Sequence, residues 1–215
     1  MKFDRTSLLL YAVTDRTWLK GRSLADAVEE AVKAGVTFLQ LREKELDFKS
    51  FFELACEIKR ITDKYKIPFI INDNVDVAVA CGADGVHVGQ NDMKATDVRK
   101  IIGRDKILGI SVQTAEQAVK AEKEGADYIG VGSVFPTSTK PDAKPLSPAI
   151  LKEICKAVKI PVVAIGGINK DNAISLARSG IDGVAVVSAI FAQDDITSAV
   201  KELRRILNKV VSYEV

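Results

Sequence analysis

Short, almost wholly apolar runs alternate with amphipathic segments along the chain, and this alternation limits the fold more than any other feature. The apolar runs cover residues 8–15, 37–44, 68–73, 84–89, 107–112, 127–134, 161–167 and 182–188. Near-continuous apolar runs of this length fit parallel strands buried on both faces. Residues 23–35, 47–65, 75–82, 94–103, 114–125, 147–158, 171–180 and 194–212 carry helical spacing instead. Two small repeats punctuate the junctions. A glycine stands between helix and strand in Lys33-Ala34-Gly35-Val36, Ala80-Cys81-Gly82-Ala83, Lys123-Glu124-Gly125-Ala126 and Arg178-Ser179-Gly180-Ile181. Glycine there suits a left-handed residue at a helix end. Lys66-Ile67-Pro68-Phe69 and Lys159-Ile160-Pro161-Val162 put proline at the first position of a strand, where no ladder donor is needed. Eight strand–helix units without a second compositional zone predict an α/β protein, a single (β/α)₈ TIM barrel over residues 1–215. A doubly wound open sheet is the alternative, but no GxGxxG follows any strand.

Composition narrows the partners. Of 215 residues, 47% are hydrophobic and only 6% aromatic, so a core of Val, Ile, Leu and Ala is expected. Lys plus Arg number 31 against 29 Asp plus Glu, a net charge of +2, which argues against a broad nucleic-acid surface. No apolar run is long enough to span a bilayer, and residues 8–13 are too short for a signal peptide. Cys56, Cys81 and Cys155 are far apart and odd in number, which supports neither a disulfide framework nor a metal site. A soluble cytoplasmic protein is expected, with no nucleic acid and no membrane; a homo-oligomer stays open.

In such a barrel, function sits where the strands end, at the C-terminal face. The second run ends Gln40-Leu41-Arg42-Glu43-Lys44. A strand period of two puts Gln40, Arg42 and Lys44 on one face. An amide and two cations there need a polyanion, or else the carboxylates of a structural ion-pair network. The third run ends Asn72-Asp73, and the loop after the fourth carries Gly89-Gln90-Asn91-Asp92. Asp73 and Asp92 suit an Mg²⁺ completed by substrate phosphates, although either could cap a helix instead. The fifth run ends Ile110-Ser111-Val112, and Ser111 can donate to a phosphate oxygen. Thr137-Ser138-Thr139-Lys140 lies in a long loop with three prolines that reads as a lid. Gly166-Gly167 and Val187-Ser188 end the last two runs, where such barrels bind phosphate through backbone N–H groups. The lone His87 lies within the fourth run and reads as a core residue. No nucleophile has an adjacent base, so covalent acyl transfer has no support.

The combination of Gln40-Leu41-Arg42-Glu43-Lys44, Ile71-Asn72-Asp73, the run Ala83 to Asp92, Gly132-Ser133-Val134-Phe135-Pro136-Thr137-Ser138-Thr139-Lys140 and Gly166-Gly167-Ile168 resembles the thiamine-phosphate synthase family over essentially the whole chain. The chain has Gly132-Ser133 where the family often has Gly-Pro, and Gln113 where it often has His. The resemblance implies that hydroxymethylpyrimidine diphosphate and thiazole phosphate, or its carboxylated form, are joined to give thiamine phosphate and diphosphate. It implies that Gln40, Leu41, Arg42, Glu43, Lys44, Asn72, Ser111 and Lys140 bind the pyrimidine diphosphate. It further implies that Asp73 and Asp92 bind Mg²⁺, and that Thr137, Ser138, Thr139, Gly167, Val187 and Ser188 contact the thiazole phosphate. Arg42, Lys44, Lys140 and Ser111 would carry the chemistry. Two other readings stand beside it. Thiazole tautomerases look similar but lack parts of the diphosphate and metal set, and a non-catalytic phosphate-ligand sensor could use the same barrel.

Overall fold

The computed structural model describes residues 4–137 and 145–211. Strands β1 (Leu10–Val13), β2 (Phe38–Leu41), β3 (Phe69–Asn72), β4 (Gly85–Val88), β5 (Ile107–Val112), β6 (Tyr128–Gly132), β7 (Val162–Ile165) and β8 (Gly183–Val186) form a closed barrel in sequence order. Every pairing is parallel, including that of β8 with β1. The helices are α1 (Leu24–Ala34), α2 (Phe48–Tyr65), α3 (Val75–Ala80), α4 (Ala95–Ile102), α5 (Ala115–Lys123), α6 (Pro148–Ala157), α7 (Ser188–Phe191) and α8 (Ile196–Val210). The barrel expected from the alternation is therefore the fold.

Local chemistry explains most boundaries. Ser23, Asp47, Asn74, Thr114, Ser147 and Asp195 each accept an N–H from the first turn of the helix they precede. Such caps contribute about 1 kcal/mol each. The four junction glycines all adopt positive φ: Gly35 at 125°, Gly82 at 68°, and Gly125 and Gly180 at 90°. That is the left-handed half of the map, which glycine enters without a Cβ penalty.

Three expectations are corrected. The helix predicted over residues 171–180 is only a 3₁₀ turn at Ala173–Leu176. Asn169 Oδ1 accepts from the Asp171 and Asn172 N–H groups, and Ser175 and Ser179 hydroxyls return to the Asn172 and Leu176 carbonyls. Side chains that bond nearby backbone compete with an α-helix. The second strand stops at Leu41, short of Lys44. Its last ladder partner is Ile71, and the Arg42 N–H turns to Thr14 Oγ1 at 3.0 Å. The barrel interior, expected to be aliphatic, holds an edge-to-face aromatic trio. Tyr11 and Phe38 lie 4.5 Å apart, Phe38 and Tyr128 5.7 Å, and Tyr11 and Tyr128 6.0 Å between ring centres. Leu8, Val13, Ile70, Ile107, Val163 and Ala185 pack around them. The outward-facing residues of the strands join the inner stripes of the helices in a second, larger core.

Candidate active site

The ends of β2 to β5 and the loops after β6, β7 and β8 build the mouth of the barrel. Gln40, the penultimate residue of β2, is buried in the interior and donates from Nε2 to the Tyr11 hydroxyl at 2.5 Å. Leu41 is also buried, but on the helix side of the strand, so only its backbone is available to a ligand. Beyond the strand the expected common face dissolves. Arg42 is half-buried, while Lys44 is exposed and reaches Asp73, with which it forms an ion pair. Glu43 is held by Arg16, whose Nη2 lies 2.8 Å from its carboxylate. Glu43 thus acts on Arg16, and its side chain is not offered to a ligand.

Asn72 is buried at the end of β3, in register with His87 of β4. Asp73 follows at φ 60°, with its N–H donated to the His87 carbonyl at 2.8 Å. A non-glycine residue in the left-handed region is uncommon and concentrates at functional sites. Asp73 is no helix cap, because Asn74 caps α3 by accepting from Val77 at 2.9 Å. Asp92 is no cap either. Lys94 precedes α4 with no side-chain cap, and Asp92 Oδ2 takes the Gly89 N–H at 2.7 Å, closing the turn after β4. Among the described residues no three His, Cys, Asp or Glu gather into a metal-holding group. Two hard carboxylates at one rim fit Mg²⁺ only if a ligand supplies further oxygens.

Ser111, on β5, lies with its Oγ 2.9 Å from His87 Nε2, and its carbonyl accepts from Gln90 Nε2 at 2.7 Å. The loop after β6 is tied down at both ends. Val134 and Phe135 donate to the Ile165 and Gly166 carbonyls, and Leu146 donates to the Ser133 carbonyl at 2.7 Å. Within it Thr137 is half-buried, whereas Ser138, Thr139 and Lys140 fall outside the described residues. Gly166 and Gly167 take φ values of 100° and 66°. A Cβ on Gly167 would stand 2.3 Å from the Pro136 carbonyl oxygen, so this glycine is needed for the β6 loop to pack as well as for any ligand approach. Val187 and Ser188 open α7, and the Ile190 and Phe191 N–H groups return to the Val187 carbonyl.

The sequence reading missed Tyr11, Tyr128, Thr14 and Arg16 and set His87 aside as a core residue. His87 is indeed buried, but its two ring nitrogens are bonded to Tyr128 and Ser111. The one available signal was a polar residue at an inward position of a strand, which gives no hint of its partner. Burial raises the pKa of the Cys81 thiol and pushes that of Cys155 up to about 12, which disfavours either as a nucleophile.

A family model described as thiamine monophosphate synthase matches residues 10–190. A thiamine-phosphate synthase of Clostridium tetani is 54% identical over 200 residues, which cover 93% of this chain and 96% of that protein. One from Ruminiclostridium cellulolyticum is 54% identical over 205 residues, 95% of this chain and 96% of that protein. The solved structure of a thiamine phosphate pyrophosphorylase from Pyrococcus furiosus superimposes with a TM-score of 0.89 at 42% identity, covering 97% of this chain and 99% of that one.

Proposed function

The chain belongs to the thiamine monophosphate synthase family, and from that premise we propose how its rim performs thiamine-phosphate synthesis. It is a transferase, and residues 1–215 serve as one catalytic domain in this reading. The pyrimidine diphosphate lies over β2 to β5. The C–O bond between its methylene carbon and the diphosphate breaks, and the electron pair leaves with the diphosphate. The thiazole nitrogen then gives its lone pair to that carbon, forming the C–N bond of thiamine phosphate. No proton is transferred at the reacting carbon or nitrogen, so no general base is required.

The observation that carries this reading is the Lys44–Asp73 pair at the mouth. An ammonium beside a carboxylate suits a substrate that brings negative charge together with a divalent cation. Asp73 and Asp92 would hold Mg²⁺, which when bound neutralises charge on the leaving diphosphate. Arg42, Lys44 and Lys140 add cationic groups, and Ser111 a neutral donor, where negative charge builds up. Gln40 and Asn72 fix the pyrimidine, with Leu41 and Glu43 contributing backbone. Thr137, Ser138, Thr139, Gly167, Val187 and Ser188 anchor the thiazole phosphate and so orient its nitrogen.

Purified protein given both substrates and Mg²⁺ should form thiamine phosphate and diphosphate in equal amounts, and a chelator should stop it. Binding without turnover would favour the sensor reading. Isomerisation of the thiazole with no consumption of pyrimidine diphosphate would favour the tautomerase. No helix among the described residues is long and apolar enough to cross a membrane. A cytoplasmic setting accords with three cysteines that are all free thiols.

A further inference from the structure

A chain of side-chain hydrogen bonds crosses the barrel interior, and its three middle members, Tyr11, Tyr128 and His87, have no role in the scheme above. Gln40 Nε2 donates to the Tyr11 hydroxyl at 2.5 Å, and the Tyr11 and Tyr128 hydroxyls lie 2.9 Å apart. The Tyr128 hydroxyl is 2.9 Å from His87 Nδ1, and His87 Nε2 is 2.9 Å from Ser111 Oγ. Five strands contribute one residue each: β2, β1, β6, β4 and β5. The two ends, Gln40 and Ser111, are both groups assigned to the pyrimidine diphosphate.

One arrangement of hydrogens satisfies every bond along this chain. Tyr11 accepts from the Gln40 amide, so its single hydrogen goes to Tyr128. Tyr128 in turn directs its hydrogen to His87 Nδ1. In that arrangement the imidazole proton stands on Nε2, which donates to Ser111 Oγ. Ser111 accepts there, and its own hydrogen is left for an acceptor outside the chain. Burial keeps both phenols protonated, raising Tyr11 and Tyr128 above the usual tyrosine range. The neighbouring strands make room for this arrangement. A Cβ on Gly109 would fall 2.2 Å from Tyr128 Cζ and 2.4 Å from His87 Nδ1, and one on Gly130 would fall 3.2 Å from His87 Cε1. Barrel centres are ordinarily filled by bulky side chains. Here two inward positions carry none, and the His87–Tyr128 pair occupies that space.

We propose that His87 is a positioning residue for the reaction: it holds Ser111 Oγ as an acceptor and thereby turns the Ser111 hydrogen toward the departing diphosphate. The inference rests on the role proposed above for Ser111. A donor aimed where charge develops acts mainly on the transition state, so its loss lowers kcat more than it raises KM.

The experiment is a double-mutant cycle. His87→Asn keeps an oxygen near the Nδ1 position for Tyr128 but withdraws the donor from Ser111, whereas His87→Gln places an amide N–H near the Nε2 position. Ser111→Ala and His87→Asn should each lower kcat by about tenfold or more, with KM for the pyrimidine diphosphate changed less than about threefold. The double variant should be no slower than Ser111→Ala within about twofold, and His87→Gln should recover most of the turnover. Tyr128→Phe tests the same coupling without touching His87, since it removes the hydroxyl bonded to Nδ1. It should slow the wild type and leave Ser111→Ala unaffected. Thermal melts on each variant separate loss of fold from loss of rate. Multiplying effects in the double variants, or a His87→Asn variant at wild-type turnover beside a slow Ser111→Ala, would overturn the inference alone. A Ser111→Ala variant at wild-type turnover would remove the Ser111 role and the inference together.

Discussion

Asp73 allows stability and activity to be separated at one position, because its backbone and its carboxylate have different tasks. At φ 60° an ordinary L-residue carries a penalty of about 1–2 kcal/mol, which Asp relieves in part through local polar bonding. Its ion pair joins side chains that are 50% exposed for Lys44 and 26% for Asp73, a contact worth about 0.2–1 kcal/mol after solvent screening. Asp73→Ala loses the pair and meets the part of the backbone penalty that Asp relieves, so about 0.5–2 kcal/mol is expected. At about 2–4 °C per kcal/mol for a chain of this size, Tm should fall by roughly 1–8 °C. Asp73→Gly loses the same pair but sits in the left-handed region without strain. Its Tm should lie roughly 2–4 °C above that of the alanine variant. Both variants should nevertheless lose at least about 100-fold in turnover, roughly 2.7 kcal/mol of transition-state stabilisation, because neither offers a metal ligand. Scanning calorimetry and product formation at saturating Mg²⁺ give the two readouts. A glycine variant less stable than the alanine one would refute the backbone argument. Either variant keeping more than roughly a tenth of the activity would refute the metal assignment.

Gly109→Ala should lower Tm by at least about 4 °C, since its Cβ would fall 2.2 Å from the buried Tyr128 ring and overpacking costs about 1–3 kcal/mol before any hydrogen bond is lost. A thermal melt matching the wild type would show that the pair does not fill that space. The Lys64 ammonium and then the Tyr65 hydroxyl hold Glu29 down to about 2 from its ordinary 4.5. A depressed carboxylate contributes its stability above the unfolded value and loses it as pH falls through the folded one. The Tm gap between wild type and Glu29→Gln should therefore be constant above pH 4.5 and close as pH falls toward 2. A gap that persists unchanged at low pH would mean the glutamine variant differs for another reason.

The sequence by itself determined the barrel and the composition of its mouth. Strand and helix periods, helix caps and junction glycines are local, because each is set by residues within a few positions of one another. The polar residues at the strand ends were visible for the same reason: Gln40, Asn72, Asp73 and Ser111 interrupt otherwise apolar runs. Local pattern failed where side chains and closure took over, at the end of β2 and in the residues 171–180, whose Asn and Ser bond their own backbone.

Only the tertiary structure decided which distant residues meet. Tyr11 and Tyr128 are 117 positions apart, and nothing in either strand announces the other. The same holds at the base of the barrel, where Thr37, Asp84, Asp127 and Asp182 accept N–H groups of Leu10, Phe69, Leu108 and Val162. Each acceptor stands just ahead of or at the head of an even-numbered strand and serves the odd-numbered strand before it. Strand alternation says which side chains point inward. Closure with its stagger sets the height at which each arrives, and so determines that Gln40 and Ser111 are the two ends of one buried chain of hydrogen bonds.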